Sequence, residues 1–289
     1  MINKLCIIGV GLIGGSLARD LRAAGVVREI VGHGRGLGNL ELAVELGVID
    51  RAAVSSADAV RGADMVVIAV PVGAIGQVLA DIAPAIGAQS VVTDVGSVKG
   101  SVVAAARDSF KQHFSRFVPG HPIAGTERSG VGASLSGLYR GRHVILTPES
   151  DTAGDAVQRV SDMWRHTGAR VSTMSAQEHD AVLAASSHLP HMLAYALVDM
   201  LVRRDDHRKV FDFAAGGFRD VTRIAASDPT MWRDICLNNR KAIVEMLRQY
   251  RDDLGAMIAA IDKGDGQWLE ETFARAKHAR EILFPNNDK

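Results

Sequence analysis

The sequence predicts an α/β protein: a Rossmann-type, mostly parallel sheet domain over residues 1–173, followed by an all-helical domain suited to dimerisation over residues 174–289. Three observations predict it. The turn Gly9-Val10-Gly11-Leu12-Ile13-Gly14 follows directly on an apolar strand pattern and opens a helix. Short apolar runs then alternate with helical patterns, as parallel strands with crossover helices require. After about Met174, helical spacing dominates to the end of the chain.

The elements follow in order. Leu5–Ile8 reads as a strand and Ser16–Ala24 as a helix; Ile30-Val31 begins a second strand and Leu40–Leu46 a second helix. Met65–Val70 is a continuous apolar run, the pattern of a strand buried on both faces. Ser90–Thr93 is the next strand, with a helix near Lys99–Asp108. Val144–Leu146, a helix over Ala153–Thr167 and Arg170–Ser172 complete the sheet domain. In the helical part Ile243, Met246, Leu247, Tyr250, Leu254, Met257, Ile258 and Ile261 fall at helical spacing over about five turns. Packing within the domain and contact with a second subunit explain this stripe equally well.

Composition bounds the function. There are 33 basic and 33 acidic side chains among 289 residues, so no overall field draws the chain to nucleic acid or to an anionic membrane. Cys6 and Cys236 are isolated, which indicates a reducing compartment without a structural disulfide. The N-terminus runs straight into the first strand with no signal-peptide pattern, so a cytoplasmic protein is expected.

The glycine turn points to a dinucleotide. Gly9 permits the tight turn, Gly11 lets the backbone approach a pyrophosphate and Gly14 allows close helix–strand packing. Leu12 and Ile13 open the helix whose N-terminus faces the phosphates. Val70 and Pro71, at the end of the third apolar run, are further cofactor-contact candidates. An NAD site usually carries an acid about 20 residues past the glycines. This chain has Gly32-His33-Gly34-Arg35-Gly36-Leu37-Gly38 there: Gly34 leaves room for a 2′-phosphate and Arg35 can pair with it. The expected cofactor is NADP, with NAD as the alternative; if Arg35 is only a solvated loop residue, that preference goes.

Further segments gather polar groups. Gly120-His121-Pro122-Ile123-Ala124-Gly125-Thr126-Glu127-Arg128-Ser129-Gly130 sets a histidine in a Gly/Pro-bounded loop with a hydroxyl and a carboxylate close behind. A histidine so placed can take a proton while a nicotinamide takes a hydride. Asp94–Gly100 leaves a strand at its carboxyl end, where Ser97 reads as an N-cap of the helix beginning near Lys99, a role compatible with a second one at the site. Ser187-His188-Leu189-Pro190-His191 lies inside a helical pattern, and Pro190 must bend or break it at the two histidines. His188 and His191 then serve a ligand or merely satisfy freed backbone groups; with no third ligand at metal spacing, no metal is expected. Downstream of Gly216–Ile224, Ser227–Trp232 has the form of a helix start; Arg223 could clamp a carboxylate and Trp232 form an apolar wall, or the two could be a surface ion-pair former and a core residue.

In wording, order and spacing, Gly9–Ser16, Asp94–Gly100, Gly120–Gly130, Ser186–His191 and Gly216–Trp232 together resemble the prephenate/arogenate dehydrogenase family of tyrosine biosynthesis. The resemblance implies oxidation of a cyclohexadienyl alcohol with loss of the ring carboxylate as CO₂ and hydride transfer to NAD(P)+. It implies catalytic roles for His121, the proton acceptor, and Ser97. His191 and Arg223 would bind substrate, and Thr126, Glu127, His188 and Trp232, with Asp220, would line or gate the pocket. It implies a homodimer through the helical domain and a small-molecule substrate, prephenate or arogenate. The alternatives are a 3-hydroxyacid or 6-phosphogluconate-type dehydrogenase, which usually has a catalytic lysine early in the helical domain, and a non-catalytic nucleotide-sensing protein, which would need no second ligand site.

Overall fold

The computed structural model describes residues 1–126 and 128–283. In chain order the first part runs β1 (Ile2–Ile8), α1 (Leu12–Ala23), β2 (Val27–His33), α2 (Leu37–Glu45), β3 (Arg51–Ala52), α3 (Ser56–Val60), β4 (Met65–Ile68), α4 (Val72–Ile82), β5 (Val91–Asp94), α5 (Gly100–Phe110) and β6 (Phe117–Val118). Then come β7 (Gly120–Pro122), β8 (His143–Leu146), α6 (Gly154–His166) and β9 (Arg170–Thr173). Helices follow: α7 (Ala176–Leu183), α8 (Leu189–Val202), α9 (His207–Asp212), α10 (Gly216–Thr222), α11 (Pro229–Asn238), α12 (Arg240–Lys263) and α13 (Gly266–Leu283).

Six strands form a parallel sheet in the order β3-β2-β1-β4-β5-β6. The order reverses direction at β1 and β4, the point at which ligands bind in doubly wound sheets. In register, Ile8 pairs with His33 and with Ile68, and Ile68 with Asp94, so the carboxyl ends of these strands stand level. The fully buried β4 sequence Met-Val-Val-Ile fits a strand covered on both faces. Met65 and Val67 of this strand join Leu5, Ile7, Leu17, Leu21, Ile30 and Trp164 in one core.

The strands at Val144 and Arg170 do not extend this sheet, contrary to the expectation of a single one. They form a second sheet in the order β7-β8-β9, β7 antiparallel and β9 parallel to β8. Pro119 makes the break: it has no N–H for a ladder, while its carbonyl accepts from Thr147 N at 2.9 Å. The chain thus leaves β5 after Val118 and pairs with β8 from Gly120, which puts His121 on a strand rather than in an open loop.

Residues Met1–Arg240 form one compact unit, and a second starts at Lys241. In the second, Tyr250, Leu254 and Met257 of α12 face a shared groove with Trp268 and Thr272 of α13.

Candidate active site

The turn from β1 into α1 is shaped by close approaches. Gly9 has φ +98°, and a Cβ there would lie 2.3 Å from the Ala69 carbonyl oxygen. At Gly14 a Cβ would meet the Gly9 carbonyl oxygen at 2.4 Å, so helix and turn touch backbone to backbone. Gly11 differs: nothing lies within 4 Å of its Cβ position. It is the N-cap of α1, with no side-chain cap and no acid in the first turn. Open space over uncapped N–H groups is what a pyrophosphate requires. The residues present fit a dinucleotide: Leu12 and Ile13 open the helix, and Val70 Cγ1 would lie 3.0 Å from a Cβ at Gly9. Pro71 follows as the N-cap of α4.

The next loop leaves β2. The His33 ring bonds the Ala53 carbonyl through Nδ1 at 3.1 Å. Gly34 has open space at its Cβ position, and Arg35 is exposed with no side-chain partner among the described residues. Asn39 holds this corner together: its Nδ2 donates to Val10 O at 2.7 Å and its Oδ1 accepts from Val131 N at 2.9 Å.

Beyond β5 lies a buried polar knot. Lys99 and Asp94 are both fully buried and ion-paired, and Lys99 Nζ also donates to Gly120 O at 2.7 Å. Asp94 accepts from Gly96 N at 2.8 Å and from Gly120 N at 3.2 Å. The pair thereby fixes the backbone of the residue before His121. His121 Nδ1 lies 2.9 Å from His179 Nε2, and His179 Nδ1 lies 2.8 Å from Asp180 Oδ1. His121 is nine-tenths buried, and its Nε2 has no hydrogen-bond partner among the described residues. Burial pushes its imidazole well below the usual range, and His179, Lys99 and His188 act in the same direction. His121 is therefore neutral at pH 7 and able to accept a proton. Asp180 also accepts from Lys99 N and Gly100 N, both at 2.8 Å, so it caps α5 from another element. Burial raises the Asp180 carboxyl, but the bonds from His179, Lys99 N and Gly100 N outweigh it and hold the group below its usual range.

The third group sits on the helix that Pro190 was expected to bend. A π turn, Ala184–His188, joins α7 to α8, with Leu189 N bonded to Ala184 O five residues back. The wider turn makes room for the proline ring without breaking the helix. His191 Nδ1 takes up the Ser187 carbonyl at 2.9 Å. Its ring stacks on Trp232, and His188 meets the same indole edge-on at 5.9 Å. Trp232 is buried, and its Nε1 has no hydrogen-bond partner among the described residues. His188 Nδ1 lies 3.2 Å from Asn239 Nδ2, which donates to Asp180 O at 2.8 Å. Arg223, on the turn before α11, is near enough that its charge lowers the His191 pKa.

The sequence-derived candidates thus fall into a glycine turn, a buried histidine and a His–Trp–Arg corner, the last two joined through Asp180 and Asn239. Two candidates make no hydrogen bond to these groups among the described residues. Thr126 is exposed, and its hydroxyl accepts from Arg128 N at 3.3 Å. Ser97 is half-buried, with no side-chain hydrogen bond among the described residues; it does not cap α5, whose N-cap is Lys99. Glu127 lies outside the described residues. Sequence reading missed Asp94, Lys99, His179, Asp180 and Asn239 as site residues. The available signal was Ser175-Ala176-Gln177-Glu178, a helix-start pattern just before His179-Asp180: Ser175 does cap α7 through Glu178 N.

Comparison with known proteins gives the following. The family model "Prephenate dehydrogenase, nucleotide-binding domain" matches residues 17–173, and "Prephenate dehydrogenase, dimerization domain" matches residues 175–275. The chain is 39% identical to the cyclohexadienyl dehydrogenase of Zymomonas mobilis, over 100% of this chain and 98% of that protein. It is 36% identical to the prephenate dehydrogenase of Bacillus subtilis, over 98% of this chain and 76% of that one. A crystal structure of prephenate dehydrogenase from A. aeolicus, in complex with hydroxyphenyl propionate and NAD+, matches with TM-score 0.91 and 36% identity, over 98% of this chain and 99% of that chain.

Proposed function

The chain belongs to the prephenate dehydrogenase family, and we propose that it oxidises prephenate or arogenate with loss of CO₂, using His121 as general base. One observation carries this reading: a neutral, nearly buried imidazole, its Nε2 without a hydrogen-bond partner among the described residues, on the short strand following β5 and β6.

The nicotinamide, when bound at the glycine turn, supplies the two-electron acceptor. His121 takes the proton of the ring hydroxyl as that carbon is oxidised to a ketone. The ketone is conjugated to the carbon bearing the carboxylate, so the C–C electron pair can flow into the ring as CO₂ leaves. The product oxygen takes a proton back from His121, a phenol results, and the imidazole is neutral again. Atoms and charge balance without a metal. The family resemblance assigns the Ser97 hydroxyl to the substrate hydroxyl or to holding His121, Arg223 to a substrate carboxylate, His191 to the substrate, and Thr126, Glu127, His188 and Trp232 to the pocket. The functional division falls at residues 173/174, which the bounds of the two family models support.

NADP is the preferred cofactor. The open Gly34 and the exposed Arg35, which has no side-chain partner among the described residues, support this, since residues 32–38 carry no carboxylate to repel a 2′-phosphate. A homodimer is part of the same reading. It is supported by the second family model and by the exposure of Leu254, Ile258 and Ile261 on the single chain. The helical run Ala176–Val202 is long and apolar enough to cross a membrane by length and composition. Because it carries Asp180, His188 and His191, its apolar surface is assigned to subunit contact in a cytoplasmic protein.

Mixing the protein with prephenate, then with arogenate, and each of NADP+ and NAD+ tests the activity. Reduced-nicotinamide absorbance should rise together with a phenolic product. No absorbance change with either substrate would remove the reading.

A further inference from the structure

We propose that His179 and Asp180 are positioning residues that lock His121 in the tautomer whose Nε2 is bare. The proposal rests on the reading of His121 as the base and specifies how that base is prepared.

The argument is proton counting along three groups. Asp180 accepts three hydrogen bonds, from His179 Nδ1, Lys99 N and Gly100 N, and is held in its ionised form, which can only accept. His179 must therefore carry a proton on Nδ1. His179 has no exposed surface, and a neutral ring then has a bare Nε2. That bare nitrogen lies 2.9 Å from His121 Nδ1, and two bare nitrogens would not approach so closely. His121 Nδ1 therefore carries the proton and donates it to His179. The remaining nitrogen, Nε2, has its lone pair free for the substrate hydroxyl.

The same chain answers the charge that arrives. When Nε2 takes a proton, the His121 imidazolium is linked through His179 to the Asp180 carboxylate. The groups facing His121 are His179 from α7, Lys99 from the loop after β5 and His188 from the π turn, and all three disfavour a cation there. Asp180 is the counterweight, acting across one intervening ring. Because Asp180 also caps α5, this relay is fastened to the loop that carries Ser97.

Ring ¹⁵N spectra of the histidine-labelled full-length protein without ligands test this, with resonances assigned by single substitutions. His121 and His179 are both expected as neutral rings protonated at Nδ1. In His179→Phe, which keeps a ring but removes its acceptor, that lock on His121 should be lost. The turnover number should fall at least about tenfold with substrate KM and cofactor affinity little changed. His179→Gln keeps a carbonyl able to accept from His121 and should recover part of the loss. Finding His121 protonated at Nε2, or His179 as an imidazolium at neutral pH, would overturn the proposal, as would full turnover in folded His179→Phe. The wild-type spectrum decides even if the variant does not fold. It also needs no substrate, so failure of the proposed activity would leave this result standing on its own.

Discussion

The imidazole of His191 lies flat against the indole of Trp232, with ring centroids 3.9 Å apart and planes 23° from parallel. Burial pushes the His191 pKa down, the bond to Ser187 O raises it, and the Arg223 guanidinium lowers it again. The lowering prevails, so His191 is neutral at pH 7 and Arg223 is the cation of this corner. A carboxylate placed there gains a charge-assisted pair whose loss costs about 2–5 kcal/mol. Arg223→Ala should therefore raise substrate KM roughly thirtyfold or more with the fold retained. Steady-state kinetics alongside circular dichroism checks it; an unchanged KM would make Arg223 structural.

A pH effect follows from His188. Burial, assisted by His179 and His191 and opposed by Asp180, lowers its pKa from 6.5 to about 4. The unfolded chain therefore binds a proton that the folded protein refuses between those values. Stability from this group is complete above pH 6.5 and is lost as pH falls toward 4, by about 3 kcal/mol in total. Urea unfolding of wild type and His188→Asn at pH 7 and pH 5 should give a steeper loss for wild type. Equal losses would mean that His188 is not held neutral.

Much of this was legible in the residues. The strand–glycine-turn–helix unit gave the switch-point crevice because its spacing is local. Two features escaped for physical reasons. The second sheet arises from a break at Pro119, and short strands on either side of a proline look continuous in an apolarity pattern. The relay depends on side chains distant in sequence: Lys99 and Asp180 are 81 residues apart. A helical wheel at about 100° per residue also fails past Ala184, because the π turn displaces His188 and His191 from the faces that it assigns.

Cofactor choice turns on two adjacent residues. Gly34 has no neighbour within 4 Å of its Cβ position, so an aspartate can be built there without a clash. NADP+ should give the higher kcat/KM. Arg35→Ala should erode most of a preference of roughly ten- to hundredfold, equivalent to about 1.5–3 kcal/mol, and Gly34→Asp should reverse it. A wild-type enzyme that uses NAD+ more efficiently would contradict the assignment.

Association is open to the same kind of check. Leu254, Ile258 and Ile261 lie along one stripe of α12 and are 44%, 53% and 60% exposed on the single chain. Light scattering should give about twice the 30.8 kDa chain mass. Ile258→Asp should shift the equilibrium toward single chains. A wild-type protein that stays single at micromolar concentration would refute the dimer.

The most direct test of the account is turnover by His121→Asn with prephenate or arogenate, whichever the wild type uses, and its preferred cofactor. Asparagine is smaller than histidine and cannot act as a base at neutral pH. The turnover number should fall by roughly 10²–10⁴-fold while cofactor affinity stays close to wild type. Near-normal turnover in a folded His121→Asn protein would contradict the central claim that this imidazole takes the substrate proton.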